Sequence, residues 1–379
     1  MPLLIGLVVG AIVGALVTTL IFLGRSGGRG GEAPAAGKAQ SDPVTGLPTH
    51  DRLVADLKRE LEGGSEVTLY LLSLDGFKDY NDAYGDVCGD ALLGWLGRKL
   101  RDAVGSYGGA YRMRGGSFAL LAAGSERFAN SLCASAASAL SENGDGFQIS
   151  CDVGSARLPR EVTHPREALE LAARRASQAA GERHVKSGRR APSDAIEALR
   201  LVRSRQDVAA LATAIARRLD VPEAEIGQIE NAMHLCDVGN VAVPRAVLSY
   251  PGKITGPEWE FILLHTVVGA RLIAGPLGLE PVAPLVRYSH ERWDGAGYPD
   301  GLAGEAIPLG SRIVFVCSAF DDMTSDRPHH EALEPADALA QLERGAGSQF
   351  DPAVVAAFRA EFAGESHEPA LEDEAAVGA

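Results

Sequence analysis

The stretch Tyr288–Gly301, which reads YSHERWDGAGYPDG, gathers side chains that could do chemistry within one short segment. His290 is followed by Asp294 and then by Gly297, Tyr298 and Pro299. Imidazole and carboxylate groups are the ligands with which proteins hold a metal ion that turns water into hydroxide. Glycine permits positive φ and proline fixes the chain direction, so the same residues also predict a tight loop.

Further segments accompany this loop. Asn231–Asn240 reads NAMHLCDVGN, and it is followed by Tyr250–Thr255, Leu264-His265, Phe315–Pro328 and Gln349–Pro352. In order and spacing these segments resemble the HD-GYP family, metal-dependent phosphodiesterases that open cyclic di-GMP. The family usually reads HHERWDGSGYP where this chain reads SHERWDGAGYP. The resemblance covers almost the whole of the second half of the chain.

The resemblance implies a pair of metal ions that clamp a phosphodiester, held by about six His and carboxylate ligands. Asp237, His265 and His290 match ligand positions, and Arg327 matches a phosphate-contacting arginine. Other family positions have changed. Four metal-ligand positions carry Cys236, Ser289, Ser318 and, in a looser alignment, Ser204. Asn240 stands where the family has a substrate-binding lysine. Three ligands cannot hold two metals, so the expectation is that no cofactor is bound.

An alternative keeps one divalent metal, Zn, Fe or Mn, with Cys236 as a soft fourth donor. Against it, Cys236 can be a small buried apolar residue on the core face of a helix. For the retained Asp294, Gly297, Tyr298 and Pro299, the family suggests a surface that docks partner proteins, including GGDEF domains. A tight loop and a docking surface are compatible.

The first half of the chain carries three other motifs: DPVTGLP at 42–48, LLSLDGFKDYNDAYGDVCGDALL at 71–93 and YRMRGGSFALL at 111–121. They resemble, in order and spacing, the GGDEF domain of diguanylate cyclases. The name motif is reduced to Arg114, Gly115, Gly116, Ser117 and Phe118, with Gly116 and Ser117 where the family has metal-binding and catalytic acids. A metal held against a triphosphate needs carboxylate oxygens, so cyclase activity is not expected.

Other family positions have changed as well. Ser73 replaces the first metal aspartate and leaves Asp75; Gln178 and Glu182 replace phosphate contacts; Gly105 and Gly108 stand at the product-inhibition site. Asn81 and Asp90 match the guanine-reading positions. Their alternative interpretation is a loop asparagine and a helix-start aspartate.

Apolar periodicity indicates the elements that must position these residues. The pattern predicts a strand at Val67–Leu74, a helix at Ala83–Leu100, a hairpin at Tyr111–Leu121 and a strand at Phe147–Ala156. This alternation is typical of an α/β sandwich. Helical periods dominate from Asp194 to Phe362, so the predicted fold class is multi-domain, with an all-α bundle after the sandwich.

Leu3–Leu23 is an uncharged apolar run of the length that crosses a bilayer, so residues 3–24 are predicted to form a transmembrane helix. Arg25, Arg29 and Lys38 follow it, which predicts a single-pass inner-membrane protein with its domains in the cytoplasm. A cleaved signal peptide is the alternative. Glycines at 6, 10 and 14 share one helical face and favour a homodimer.

The predicted boundaries are a flexible linker at 25–41, a GGDEF-like domain at 42–187, a linker at 188–193, an HD-GYP-like domain at 194–363 and an acidic tail at 364–379. A chain of 379 residues is long enough for two cores. Its net charge of −14 argues against a nucleic-acid partner. Five scattered cysteines without CxxC spacing indicate a reduced compartment.

These patterns predict a membrane-tethered cyclic di-GMP signalling protein without catalytic activity, a receptor or scaffold that binds cyclic di-GMP, GTP or a protein partner. The first alternative is a phosphohydrolase of HD-GYP type with a single-metal site. The second is an interaction module that binds no nucleotide.

Overall fold

The computed structural model of the protein describes residues 41–186, 206–250, 256, 258–275, 277–326 and 331–365. These residues fall into two compact units. The first, here called the sheet unit, lies within Gly28–Leu201 and Val238–Val268. The second, the helical unit, lies within Val202–Asp237 and Gly269–Ala379.

The sheet unit is built on five antiparallel strands in the order β2-β3-β1-β5-β4. The strands are β1 (Val67–Asp75), β2 (Gly108–Arg112), β3 (Ser117–Ala123), β4 (Glu142–Asn143) and β5 (Gln148–Leu158). The central strand β1 is mostly buried on both faces, whereas Ser73 and Asp75 near its end are only half-buried. That polar end of β1 is where the candidate nucleotide site lies.

Helices cover the sheet on both faces. They are α1 (His50–Glu62), α2 (Phe77–Tyr84), α3 (Asp86–Val104), α4 (Glu126–Ala139) and α5 (Pro165–Lys186). One core cluster joins α1, α5 and the strands through Leu53, Leu57, Val67, Leu69, Tyr111, Leu121, Ala168 and Ala172. Strand β5 approaches α5 so closely that a Cβ added at Gly154 would lie 2.0 Å from Ala172 O.

The helical part of the chain contains α6 (Gln206–Arg218), α7 (Glu223–Leu235), α8 (Arg245–Leu248), α9 (Glu258–Ala274), α10 (Ala283–Arg287), α11 (Leu309–Thr324), α12 (Pro335–Gly345) and α13 (Pro352–Glu365), with 3-10 turns at Val238–Ala242 and Gly304–Ala306. In the helical unit, α11 packs against α6, α7, α12 and α13. Its buried face carries Ile313, Val314, Val316 and Cys317. The segment 238–268, with α8 and the first part of α9, packs in the sheet unit.

The α/β unit and the helical region agree with the sequence prediction, but the third part of the predicted fold class is wrong. Among the residues that the structure describes, no helix is long and apolar enough to cross a membrane. This finding corrects the predicted transmembrane helix, and with it the predicted inner-membrane localisation. Residues 3–24 themselves lie outside the described ranges, as do most of 25–41 and the segments 188–193 and 366–379.

Candidate functional site

In the sheet unit, the residues at the acid positions of the GGDEF pattern meet across neighbouring strands. Ser73 on β1 is the direct cross-strand partner of Ser117 on β3. On its other side Ser73 pairs with Asp152 of β5, which is buried. Directly opposed residues of antiparallel strands project from the same face. The structure therefore places two hydroxyl groups beside one carboxylate in a single row.

Gly116, at the other acid position, has little room for a side chain. Its carbonyl accepts a hydrogen bond from Leu74 N at 2.8 Å. A Cβ added there would lie 3.0 Å from Phe77 Cδ1 and 3.4 Å from Leu74 Cβ. Since the distance to Phe77 is tighter than an ordinary van der Waals contact, a side chain at position 116 would require the ring of Phe77 to shift by a few tenths of an ångström.

The rest of the β2–β3 turn is held by a residue that the sequence analysis did not single out. Arg112 donates hydrogen bonds to the carbonyl oxygens of Gly115 and Ser117, and its guanidinium lies 5.0 Å from the ring centre of Phe118. Gly115 has a φ of 60° at the exposed tip, beside the exposed Arg114. The buried Phe118 anchors the turn to the core.

The two candidate guanine contacts lie on successive helices separated by Gly85. Asn81 on α2 is half-buried, and its Oδ1 lies against α3, where a Cβ added at Gly89 would be 2.0 Å away. Asp90 on α3 is exposed at its edge. Partial desolvation raises the pKa of Asp90, and the neighbouring carboxylates of Asp86 and Asp42 add to this rise.

In the helical unit, Cys236 and Asp237 follow directly after α7. The Cys236 thiol is buried and donates to Met233 O at 3.4 Å, on its own turn. Asp237 is exposed. A thiol that is satisfied by the carbonyl three residues earlier behaves as a small apolar residue of the helix end.

His290 and Tyr298 form the aromatic centre of the loop. Their rings stack at a centroid distance of 5.1 Å and an interplanar angle of 10°, and Tyr298 N donates to His290 O at 3.2 Å. Burial raises the pKa of Tyr298, and the charges of Asp237 and Asp322 raise it further. The structure therefore brings Asp237, His290, Tyr298 and Asp322 into one neighbourhood, although the sequence analysis assigned Asp322 no role.

Two serines stand at family ligand positions. Ser289 is buried, and its hydroxyl donates to Val286 O at 2.8 Å. Ser318 is buried on α11. His265 is buried on α9 in the sheet unit, and its Nδ1 hydrogen-bonds Ile262 O. Arg327 and Ser204 lie outside the described residues.

Ion pairs and close backbone contacts hold the loop Tyr288–Gly301, here called the Gly-Tyr-Pro loop. Asp294 pairs with Arg292 at 2.6 Å and accepts Ala296 N at 3.0 Å. The hydrogen bonds from Arg292 are the main reason that the pKa of Asp294 is lowered. Gly297 has no room for a side chain, because an added Cβ would lie 2.3 Å from Arg292 N. Pro299 follows Tyr298 through a cis peptide bond.

Glu291 is the buried residue around which this loop turns. It is 1% exposed, and its Oε1 accepts Asp300 N at 2.7 Å. Burial raises the pKa of Glu291, while backbone N–H groups from Asp300 onward oppose the rise. Arg287 pairs with Asp300 at 2.8 Å on the outside of the loop. The position of Glu291 between His290 and Asp294 was visible in the sequence, but its burial was not.

Comparisons with known proteins match two parts of the chain to family models. Residues 39–185 match the family model described as "Diguanylate cyclase, GGDEF domain", and residues 190–354 match the model described as "HD domain". The chain carries a GGDEF domain and an HD domain. These matches confirm the family resemblances, whereas the degeneracy of the two domains stays a prediction.

Curated relatives match part of the chain. The cyclic di-GMP phosphodiesterase response regulator RpfG of Xanthomonas campestris is 43% identical over 143 residues, which are 37% of this chain and 38% of that protein. A cyclic di-GMP phosphodiesterase of Thermotoga maritima is 35% identical over 147 residues, 38% of this chain and 40% of that protein. The match thus spans 38% and 40% of the length of these two relatives.

Solved structures match the GGDEF domain. The crystal structure of the FimX GGDEF domain from Pseudomonas aeruginosa is 23% identical to this chain. The match covers 38% of this chain and 95% of that one, with a TM-score of 0.35.

The residues of the HD domain do not fit the two-metal centre that the HD-GYP resemblance implies. Among the described residues, no three His, Cys, Asp or Glu side chains come together in a way that could hold a metal ion. Serine hydroxyls and a locally bonded thiol do not replace imidazole and carboxylate ligands. The roles of Asp237, His265 and His290 as ligands stay predictions.

Proposed function

We propose that this protein is a non-catalytic receptor or scaffold in cyclic di-GMP signalling. The GGDEF domain retains the sheet and the candidate guanine contacts Asn81 and Asp90. The observation that carries the proposal is the row Ser117, Ser73 and Asp152, because hydroxyls oppose each other where a cyclase needs metal-binding acids. A nucleotide can be held by base contacts without being turned over.

The HD domain supports the same conclusion from its donor set. Cys236 and Ser289 direct their side chains to carbonyl oxygens of their own turns, at Met233 and Val286. A phosphodiester is hydrolysed in this lineage by metal-bound hydroxide, which requires ligands that these residues do not supply. The proposed ligands are cyclic di-GMP or GTP, and nucleic acid is not among them because the chain is strongly acidic.

The proposed partner surface is the loop that contains Asp294, Gly297, Tyr298 and Pro299. It stays ordered through the Arg292–Asp294 and Arg287–Asp300 ion pairs, which do not depend on a metal. Its proposed partners are a GGDEF domain of another protein and, through self-association, a second copy of this chain. A loop that is preorganised binds a partner at a lower cost in conformational entropy.

Three measurements on one purified sample test this function. Elemental analysis gives the metal content after incubation with Zn²⁺, Fe²⁺ or Mn²⁺; chromatography follows cleavage of cyclic di-GMP and conversion of GTP; calorimetry measures binding of both nucleotides. We expect binding of at least one nucleotide, no turnover of either, and no stoichiometric metal.

The opposite results discriminate the alternatives. Stoichiometric metal with cleavage of cyclic di-GMP that His265→Ala abolishes would establish the phosphohydrolase and overturn the proposal. The relatives named as cyclic di-GMP phosphodiesterases make this the alternative to test first. Absence of both turnover and nucleotide binding would favour an interaction module that recognises no nucleotide.

A further inference from the structure

A segment of the HD domain is docked on the GGDEF domain. Val238–Tyr250, here called the docked segment, begins directly after Asp237 and contains the 3-10 turn Val238–Ala242 and helix α8. By sequence it lies inside the HD domain, yet it packs in the same compact unit as the GGDEF domain. Val241, Ala242 and Val243 are all buried there.

Helix α2 of the GGDEF domain contacts the docked segment directly through Tyr80 and indirectly, by way of Gly146, through Tyr84. Tyr80 Oη donates to Ala242 O at 2.9 Å in a buried hydrogen bond. Tyr84 Oη donates to Gly146 O at 2.8 Å, and Gly146 N in turn donates to Val241 O at 3.0 Å. Tyr80 and Tyr84 are four residues apart and therefore share one face of the helix. That face therefore lies against both the docked segment and the β4–β5 turn.

The β4–β5 turn is shaped to the same contact. A Cβ added at Gly146 would lie 2.3 Å from Tyr84 Oη and 3.1 Å from Val241 Cβ, so only glycine fits. Beside it, Asp145 pairs with Arg245 of α8 at 2.7 Å. Close packing, two hydrogen bonds and an ion pair together distinguish this contact from an incidental one.

Asn81, the next residue of α2, lies on a different face of the helix from Tyr80. Asn81 follows Tyr80 and is turned by about 100° around the helix axis. Its Oδ1 is buried and accepts no hydrogen bond from any residue that the structure describes. It lies against Gly89, one residue before Asp90 on α3. One short helix thus carries a buried polar atom that has no hydrogen-bond partner among the described residues and, beside it, the tyrosine that bonds the docked segment.

Helix α2 also has a glycine with positive φ at each end. Gly76 precedes it with a φ of 85°, and Gly85 follows it with a φ of 95°. Both values are strained for a residue with a side chain. Eight residues between two such glycines can shift as one body, because the change in backbone angles is absorbed at the ends.

We propose that α2 couples ligand occupancy at Asn81 and Asp90 to the docked segment, and that the Tyr80–Ala242 hydrogen bond transmits the coupling. The inference rests on the proposed function as a nucleotide receptor. It specifies how nucleotide binding in the GGDEF domain would affect the HD domain. GTP bound at Asn81 fixes α2 in one position, which strengthens the contact with Ala242 and protects the segment that follows Asp237. Coupling of this kind needs only one element whose position both sites bias.

Hydrogen exchange with mass spectrometry on the full chain tests the coupling, with GTP as the probe. The variants are Tyr80→Phe, which removes only the hydroxyl, and Tyr107→Phe as a matched control, since Tyr107 is 67% exposed. We expect amides of Val238–Tyr250 to exchange roughly two- to tenfold faster in Tyr80→Phe, the range for loss of one buried hydrogen bond. GTP should slow their exchange in the wild type and in Tyr107→Phe, and much less in Tyr80→Phe.

Calorimetry on the same samples distinguishes failure of the coupling from failure of the GTP-receptor proposal. If GTP binds the wild type but leaves exchange in Val238–Tyr250 unchanged, the coupling is overturned and the receptor stands. The coupling is equally overturned if Tyr80→Phe responds to GTP as the wild type does. If GTP does not bind the wild type, the GTP-receptor proposal and this inference both fail. Binding that Asn81→Ala abolishes, together with protection that Tyr80→Phe loses, supports the coupling.

Discussion

Removing the carboxylate of Asp351 should destabilise the helical unit and loosen the Gly-Tyr-Pro loop. Asp351 Oδ2 pairs with Arg312 Nη1 at 2.6 Å, and the two side chains are only 2% and 15% exposed. Asp351 Oδ1 also accepts Ala353 N at 2.8 Å, which caps α13. The Arg312 guanidinium lies 5.6 Å from the ring centre of Trp293, so the pair supports the loop directly.

The size of the effect follows from the burial of the pair. Breaking a buried ion pair by removing one partner costs about 3–5 kcal/mol, and the partial exposure of Arg312 places Asp351→Ala at about 3 kcal/mol. Loss of the helix cap adds about 1 kcal/mol. Asp351→Asn keeps an acceptor for Ala353 N and loses only the charge, so we expect about 1.5–3 kcal/mol, the range for a hydrogen bond to a charged group.

Urea denaturation followed by tryptophan fluorescence measures these values. The chain has three tryptophans, and replacing Trp95 and Trp259 by phenylalanine leaves Trp293 as a local probe. Glu343→Ala is the matched control, because its pair with Arg359 at 3.7 Å is exposed and should contribute less than about 0.5 kcal/mol. An Asp351→Ala variant no less stable than Glu343→Ala would refute the reasoning.

Two further predictions concern packing and pH. Gly154→Ala should lower the free energy of unfolding by at least about 3 kcal/mol in a denaturation experiment, because its Cβ would overlap the α5 backbone. Gly227→Ala is the control: its Cβ would have no atom within 4 Å, so it should stabilise α7 by about 0.5–1 kcal/mol. Equal effects of the two variants would contradict the close approach of β5 and α5. The hydrogen bond from Arg175 lowers the pKa of Glu161 to about 2, so its stabilisation is complete above pH 4.5 and is lost as the pH falls toward 2. Glu161→Gln should therefore lose less stability than the wild type between pH 5 and 2 in thermal unfolding, and an unchanged slope would count against the pair.

Local periodicity predicted most elements of the sheet unit. It failed where a single glycine separates two helices. The strand predicted at Val67–Leu74 is observed at Val67–Asp75, and the hairpin at Tyr111–Leu121 is formed by β2 and β3. The helix predicted at Ala83–Leu100 is instead α2 and α3, separated at Gly85. An apolar period continues across a glycine in the sequence, whereas in the structure Gly85 has a φ of 95°, which ends one helix before the next begins.

The candidate sites were less predictable, since their properties depend on distant contacts. The sequence located Asp237, His290 and Tyr298, and the structure brings them together. It could not show that Phe77 closes over Gly116, because that contact joins two segments far apart in the chain. Nor could it pair Tyr80 with Ala242, 162 residues away. Motif spacing identifies positions, but side-chain partners across the fold decide what those positions can do.

Two residues at family ligand positions have hydrogen-bond partners within their own turns. In the HD domain, Cys236 and Ser289 each bond a carbonyl three residues earlier, so neither leaves an unsatisfied polar group where a ligand would stand. In the GGDEF domain, the ring of Phe77 occupies the space that an acid at position 116 would need. A carboxylate at position 116 would therefore require the ring of Phe77 to shift by a few tenths of an ångström.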